Sequence, residues 1–158
     1  MKQRLDAIDW KILRELQDDG RITNVELAQR VGISAPPCLR RVRALEEAGI
    51  IEGYRALVSA HSLGQDVVAF ALVSLERQSE SDLMAFEKTV TAWPIVREAH
   101  MVSGDVDFLL KCVTPDLGAF QSFIIETLTA APNVDGVKTM LTIRESKNEP
   151  IVPIDDVS

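Results

Sequence analysis

Three arginines, Arg40, Arg41 and Arg43, lie within four consecutive residues, and the range 34–45 contains no acidic residue. A guanidinium group donates in a planar fork that matches a phosphate or the major-groove edge of a guanine. This cluster of cations therefore indicates contact with a nucleic acid. The alternative is a solvated helix face on which Arg43 pairs with Glu47 four residues later.

A second polar group lies in the other half of the chain, at Ser103, Gly104, Asp105 and Asp107. Glycine lets a ligand carboxylate approach the backbone N–H groups closely, and either aspartate offers a charge-assisted hydrogen bond to an ammonium group. These groups match the two charged ends of a free amino acid. The same residues also suit a plain hairpin turn with no ligand, and both interpretations remain open.

The arginines must be positioned by the helices around them. A first helix is predicted from apolar residues at helical spacing and ends near Gly20. Thr23 and Glu26 have the spacing of a capping box at the start of a second helix, and Gly32 supplies the turn after it. A short helix, a glycine turn and another helix indicate a helix-turn-helix. The first helix buries Leu5, Ile8, Ile12, Leu13 and Leu16.

The third helix carries the arginines. Ser34 is a suitable N-cap, and Pro36 and Pro37 fit the first turn, where a missing N–H does no harm. We expect Leu39, Val42 and Leu45 to face the core, with Cys38 beside them. The predicted face toward double-stranded DNA comprises Ser34, Pro36, Pro37, Arg40, Arg41 and Arg43.

The remaining chain divides into a connection and a second domain. Residues 50–58 are predicted to form a small wing or a connecting strand. The predicted domains are a winged helix-turn-helix at 1–53, a linker at 54–65, and an effector-binding and oligomerisation domain with a C-terminal tail at 66–158. Acid is concentrated in the second part, because residues 61–158 carry a net charge of −8 and residues 1–60 carry +1. DNA contact is therefore expected in the first part alone.

The second domain contains an internal repeat, in which Asp82-Leu83-Met84-Ala85-Phe86 recurs as Asp116-Leu117-Gly118-Ala119-Phe120. Each copy reads strand, helix, strand, and the order βαββαβ is the ferredoxin-like arrangement. The predicted fold class is α+β. The predicted strands are 67–76, 95–102, 106–114 and 137–145, and the predicted helices are 82–93 and 116–130.

Several of these strands are apolar on both faces, whereas the helices of a ferredoxin-like fold cover only one. A sheet face that meets water should be polar. We therefore expect the uncovered face to pack on a second copy of the chain, forming a two-fold homodimer. The alternative is that the linker and the C-terminal tail of the same chain cover this face, since residues 149–153 could cross the sheet.

Other classes of protein receive less support. Cys38 and Cys112 are predicted to be buried free thiols in a reducing compartment, and His61 and His100 are isolated from any evident nucleophile. We expect no metal, no cofactor and no membrane span, and a cytoplasmic location. An enzyme or stand-alone metabolite binder and an architectural DNA-organising protein of low sequence specificity remain the alternatives.

The chain resembles the leucine-responsive regulator/AsnC family of transcription regulators over nearly its whole length. The resemblance rests on segments 5–13, 24–28 with 31–32, 37–46, 53–54 and 102–111. It implies a winged helix-turn-helix, a regulatory domain that dimerises through its sheets, and further association into tetramers or octamers. It also implies that an amino acid binds near residues 104–107, between dimers. One departure is Ala35-Pro36 after Ser34, where the family often has Pro followed by Thr or Ser, so a hydroxyl contact at position 36 is not carried over.

Overall fold

The structure is a computed structural model that describes residues 4–149 and 151–154, and it divides into two units. Of the described residues, one unit comprises 4–57 together with 148, 149 and 151–154, and the other comprises 58–147. In this division residues 148, 149 and 151–154 group with the first unit, whereas the domain predicted at 66–158 included them. Residues 1–3, 150 and 155–158 of the predicted domains lie outside the described residues.

The first unit contains three helices: α1 (Ala7–Asp18), α2 (Asn24–Val31) and α3 (Ala35–Glu47). Each begins at a polar N-cap, namely Asp6, Thr23 and Ser34. Thr23 accepts from the Glu26 backbone N–H as predicted, but the Glu26 carboxylate binds Arg30 at 2.6 Å. The helices bury one another's apolar faces, and the fully packed members are Ile12, Leu13, Leu27, Ala28, Val31, Cys38 and Leu45.

The C-terminal segment lies on α1. The Gln17 side chain donates to the Val152 carbonyl at 2.9 Å and accepts from the Val152 N–H at 2.8 Å, while Ile154 packs on the helical core. This contact links the segment around Val152 to the other residues of the first unit. Residues 50–58 contain no strand, because an extended segment needs a neighbouring strand to complete its hydrogen bonds and none of the described residues pairs with it.

The second unit is a four-stranded antiparallel sheet with helices on one face. Its elements are β1 (Val67–Leu75), α4 (Glu80–Thr91), β2 (Val96–Met101), β3 (Phe108–Thr114), α5 (Leu117–Ser122) with a π-helical continuation (Phe123–Leu128), and β4 (Val134–Leu141). The strand order β2-β3-β1-β4 confirms the ferredoxin-like arrangement. A 3-10 helix, His61–Leu63, lies in the predicted linker.

Alternation along the strands separates the two faces of this sheet. Ala69, Ala71, Val73 and Leu75 of β1 point to the helices and are buried, and Phe108, Leu110 and Cys112 of β3 point the same way. Aromatic rings fill the space beneath α4, with Phe86 and Phe108 centred 4.8 Å apart. The predicted boundary of β4 is wrong, because the strand begins at Val134 rather than at Val137 and ends at Leu141.

Candidate nucleic-acid interface and effector site

The α3 helix is held against both other helices of its unit. Gly32 ends α2 in the left-handed conformation, with φ of 81°, which reverses the chain within a few residues. The Asn24 side chain donates to the Ala35 carbonyl at 2.8 Å and so links the start of α2 to the start of α3. This role of Asn24 was not predicted from the sequence, although its place directly after an N-cap was a usable signal.

The outer face of α3 carries two arginine side chains. Arg40 and Arg43, three residues apart, are exposed, and neither makes an ion pair within residues 4–149 and 151–154. Arg43 does not pair with Glu47, so the solvated-pair alternative is not what the structure shows. The Ser34 side chain makes no capping hydrogen bond, and Pro36 is exposed while Pro37 is half-buried. This face offers two free guanidinium groups and a hydroxyl.

Two predicted positions on α3 differ from expectation. Leu39 was expected in the core but is 38% exposed, because the buried stripe runs through Cys38 and Leu45 instead. Arg41 lies between those two at helical spacing and faces α1. Its Nη1 donates to Asp6 Oδ2 at 2.8 Å and to Asp9 Oδ1 at 2.7 Å. The pKa of Asp6 is lowered, chiefly by the Asp9 backbone N–H and further by Arg41.

The hairpin between β2 and β3 contains all four predicted effector residues. Gly104 has φ of 132°, a conformation that side chains with a Cβ rarely adopt, and Ser103, Gly104 and Asp105 are exposed. Within the described part of the chain, the Gly104 N–H has no hydrogen-bond acceptor. Asp107 is half-buried, and its Oδ2 accepts from the Leu75 N–H at 2.7 Å. The hairpin therefore presents free backbone donors and one free carboxylate, that of Asp105.

A concave apolar surface lies elsewhere in the same unit, between the α5 segment and β4. Its volume is about 310 Å³. The exposed apolar side chains Ile125 and Leu141 lie at its walls. The π-helical turns of 123–128 run beside it, and π-helical turns are often found near functional sites. The full lining is Leu117, Phe120, Gln121, Ile124, Ile125, Thr139 and Leu141.

The sheet face without helices is mainly apolar at its centre. Phe70 pairs across the sheet with Lys111 on one side and with Met140 on the other, so the three side chains share this face. Met140 is 51% exposed. Lys111, next to Phe70, binds Glu98 of the edge strand β2 at 2.9 Å, and this ion pair lowers the pKa of Glu98. Exposed apolar side chains beside charged ones are typical of a surface that another protein covers.

Both cysteines are buried free thiols, and burial raises the pKa of Cys112 to about 11. Over residues 4–149 and 151–154, no cluster of His, Cys, Asp or Glu has an arrangement suited to a metal ion. None of the helices in that same part of the chain combines the length and apolar character needed to cross a membrane.

Two family models match the chain. Residues 5–52 match winged helix-turn-helix DNA-binding, and residues 68–152 match the Lrp/AsnC ligand binding domain. A leucine-responsive regulatory protein of Rhizobium meliloti is 66% identical over 94% of this chain and 95% of its own length. The leucine-responsive regulatory protein of Escherichia coli K12 is 44% identical over 90% of this chain and 87% of its own.

Solved structures agree with these matches. A transcriptional regulator of Neisseria meningitidis, in complex with L-Met, superposes with a TM-score of 0.92 at 37% identity, covering 98% of this chain and 100% of that one. Escherichia coli AsnC superposes with a TM-score of 0.87 at 26% identity, covering 96% and 100% respectively. The likeness extends over both units of the chain.

Proposed function

The chain belongs to the Lrp/AsnC family of transcription regulators, and from that premise we propose that α3 reads a specific DNA sequence while a free amino acid controls assembly or DNA binding. The family assignment accounts for both units, because one is a helix-turn-helix and the other is a ligand-binding domain. The observation that carries the DNA proposal is the pair of unpaired arginines, Arg40 and Arg43, on a helix fixed by its neighbours.

The residues on the outer face of α3 are suited to different kinds of contact with DNA. Arg40 and Arg43 lie on the same side of the helix, so both guanidinium groups can enter one groove or flank it. Ser34 lies at the helix N-terminus, where its hydroxyl, the Ala35 N–H and the helix dipole favour a phosphate, although Pro36 and Pro37 supply no N–H. Pro36 adds a small apolar surface that tolerates close approach of bases. The acidic second unit is repelled by DNA, so binding is confined to this face.

The test uses a duplex selected by footprinting upstream of the chain's own gene. We expect Arg40→Gln and Arg43→Gln each to reduce the slope of log affinity against log salt by about 1 for each phosphate that is no longer neutralised. A base contact by Arg40 would also relax sequence preference at one position, at a cost of about 1–3 kcal/mol. Unchanged affinity and slope in both variants would refute the assignment of α3 as the DNA reader.

We place the effector's charged groups on the hairpin between β2 and β3. The exposed N–H groups around Gly104 suit an α-carboxylate, and Asp105 suits an α-ammonium group. Asp107 is a weaker anchor than the sequence indicated, since one of its oxygens is already bonded within the sheet. An amino acid is the proposed class because the Neisseria relative was solved with L-Met.

The hairpin supplies groups for the charged ends of an amino acid, whereas the concave apolar surface lies beside β4, and we therefore propose a site shared between protomers. The cavity beside β4 supplies apolar walls, but β2 and β4 are opposite edges of the sheet. Three strand spacings separate those edges by about 14 Å. One chain therefore cannot bring its hairpin and its cavity around a single amino acid. The hairpin of one protomer and the cavity of another can enclose it, and this would couple binding to assembly.

Mixed oligomers test this arrangement. Isothermal titration calorimetry of the full chain with the twenty amino acids identifies the ligand. We expect Asp105→Asn and Leu141→Ala each to abolish its binding, and co-expression of the two variants to restore a fraction of intact sites. The exposed Val25→Ala in the first unit is the matched control and should bind as wild type. Failure of all amino acids to bind at millimolar concentration would refute the effector proposal, and absence of restoration would refute the shared site.

A further inference from the structure

The three arginines on α3 differ in the direction of their side chains and in what those side chains contact. Arg40 and Arg43 face outward, whereas Arg41 is three residues after the buried Cys38 and four before the buried Leu45. Residues at these spacings share one side of a helix. The Arg41 side chain is accordingly only 35% exposed and points to the N-terminus of α1.

The acceptors of Arg41 are themselves held in place. Asp6 uses Oδ1 to accept from the Ile8 and Asp9 N–H groups at 2.9 Å, and its Oδ2 is left for Arg41. Asp9 uses Oδ2 to accept from the Asp6 N–H at 3.1 Å, and its Oδ1 is left for Arg41 at 2.7 Å. The two carboxylates thus form the capping box of α1 with one oxygen each and bind Arg41 with the other.

This network joins α3 to α1 through two carboxylates that the capping box of α1 already orients. The Asp9 side chain is 14% exposed, so its interaction with the guanidinium is partly shielded from water and salt. A phosphate that bound Arg41 would have to displace two carboxylates that α1 already orders. It would also meet their negative charges at close range, which disfavours the exchange.

We propose that Arg41 is a positioning residue, which holds the DNA-reading helix on α1 through Asp6 and Asp9 and makes no phosphate contact. The inference rests on the proposed DNA-reading role of α3 and differs from the expectation from sequence that all three arginines contact DNA. It predicts that the orientation in which α3 approaches DNA depends on Asp6 and Asp9 at the N-terminus of α1.

The variant Asp9→Asn distinguishes a positioning role of Arg41 from a phosphate contact, because the two roles predict opposite changes in DNA affinity. Asparagine is nearly isosteric and keeps an acceptor for the Asp6 N–H, but it removes the negative charge that orders Arg41. If Arg41 bound phosphate, loss of a nearby acid would free the guanidinium and tighten DNA binding. If Arg41 positions α3, Asp9→Asn should weaken binding to the footprinted duplex, by roughly three- to tenfold.

The salt dependence supplies a second readout. We expect Arg41→Gln to weaken binding by a similar factor while leaving the slope of log affinity against log salt unchanged, whereas Arg40→Gln reduces that slope by about 1. Hydrogen exchange of the α3 backbone should rise in Arg41→Gln and Asp9→Asn but not in Arg40→Gln. Far-ultraviolet circular dichroism confirms that each variant is folded.

The outcomes distinguish this inference from the function on which it rests. Tighter binding by Asp9→Asn, or a salt slope reduced by about 1 in Arg41→Gln, would overturn the positioning role while leaving α3 as the reader. Unchanged affinity in Arg41→Gln would overturn it as well. Unchanged affinity and slope in both Arg40→Gln and Arg43→Gln would instead overturn the DNA-reading role of α3.

Discussion

Asp107 offers the sharpest test of how the hairpin is built. β3 begins at Phe108, which lies opposite Val73, so the backbone ladder on this side of β1 ends before Leu75. The Asp107 N–H donates to the Val73 carbonyl at 2.9 Å, and its Oδ2 accepts from the Leu75 N–H at 2.7 Å. The side chain therefore takes the place of the next backbone acceptor and extends the ladder by one bond.

We expect Asp107→Ala to leave the Leu75 N–H without a protein acceptor next to a side chain that is 3% exposed. A hydrogen bond to a charged group contributes about 1.5–3 kcal/mol. A loss of about 2 kcal/mol would make exchange of the Leu75 amide about 30-fold faster. Asp107→Asn retains an acceptor for the Leu75 N–H, so its loss of stabilising free energy should be about half of that in Asp107→Ala or less.

Residue-resolved hydrogen exchange of the full chain measures this effect directly. Asp105→Ala is the matched control, since Asp105 is exposed, lies two residues away and makes no hydrogen bond in the described part of the chain. Its Leu75 amide should exchange as in wild type. Exchange in Asp107→Ala within twofold of wild type would show that the carboxylate does not hold the strand, and the reasoning would fail.

Three further expectations concern assembly, ionisation and the tail. Phe70→Lys on the sheet face without helices should leave the second unit folded and dissociate dimers, as measured by light scattering. Ala71→Lys, in the core, should unfold the unit because a buried unpaired charge is strongly disfavoured. A Phe70→Lys variant that stays dimeric would refute the predicted dimer interface on this face. Tyr54, the single tyrosine, has a pKa raised to about 12 by burial and by its bond to Glu46, so tyrosinate absorbance should reach its midpoint near that pH. The unfolded chain ionises near pH 10.0, so this contribution to stability is present below pH 10.0 and is lost as pH rises toward 12; a midpoint at pH 10.0 would contradict it. Gln17→Ala removes both hydrogen bonds to Val152 and should speed proteolysis of the C-terminal segment, and an unchanged cleavage rate would show that this contact does not retain the tail.

Local chemistry along the chain was sufficient to predict the main elements of both units. Caps such as Thr23, the turn at Gly32 and the alternation in β1 each depend on residues within a few positions of one another. The order βαββαβ then leaves few ways to pair the strands, because connections between them are short. For the same reason the exposed glycine of the hairpin, Gly104, could be identified as part of a turn from its sequence neighbours alone.

Distant pairings could not be obtained in this way, because nothing near a residue in sequence records its partner in space. In the sequence Arg41 does not differ from Arg40 and Arg43. Its acceptors Asp6 and Asp9 are 35 and 32 residues away along the chain but adjacent to it in space. Nothing near Val152 in the sequence indicated its partner Gln17 on α1, which is 135 residues away. Packing decides which charged side chains are paired, so the sequence showed the arginine cluster but not which of its guanidinium groups form ion pairs.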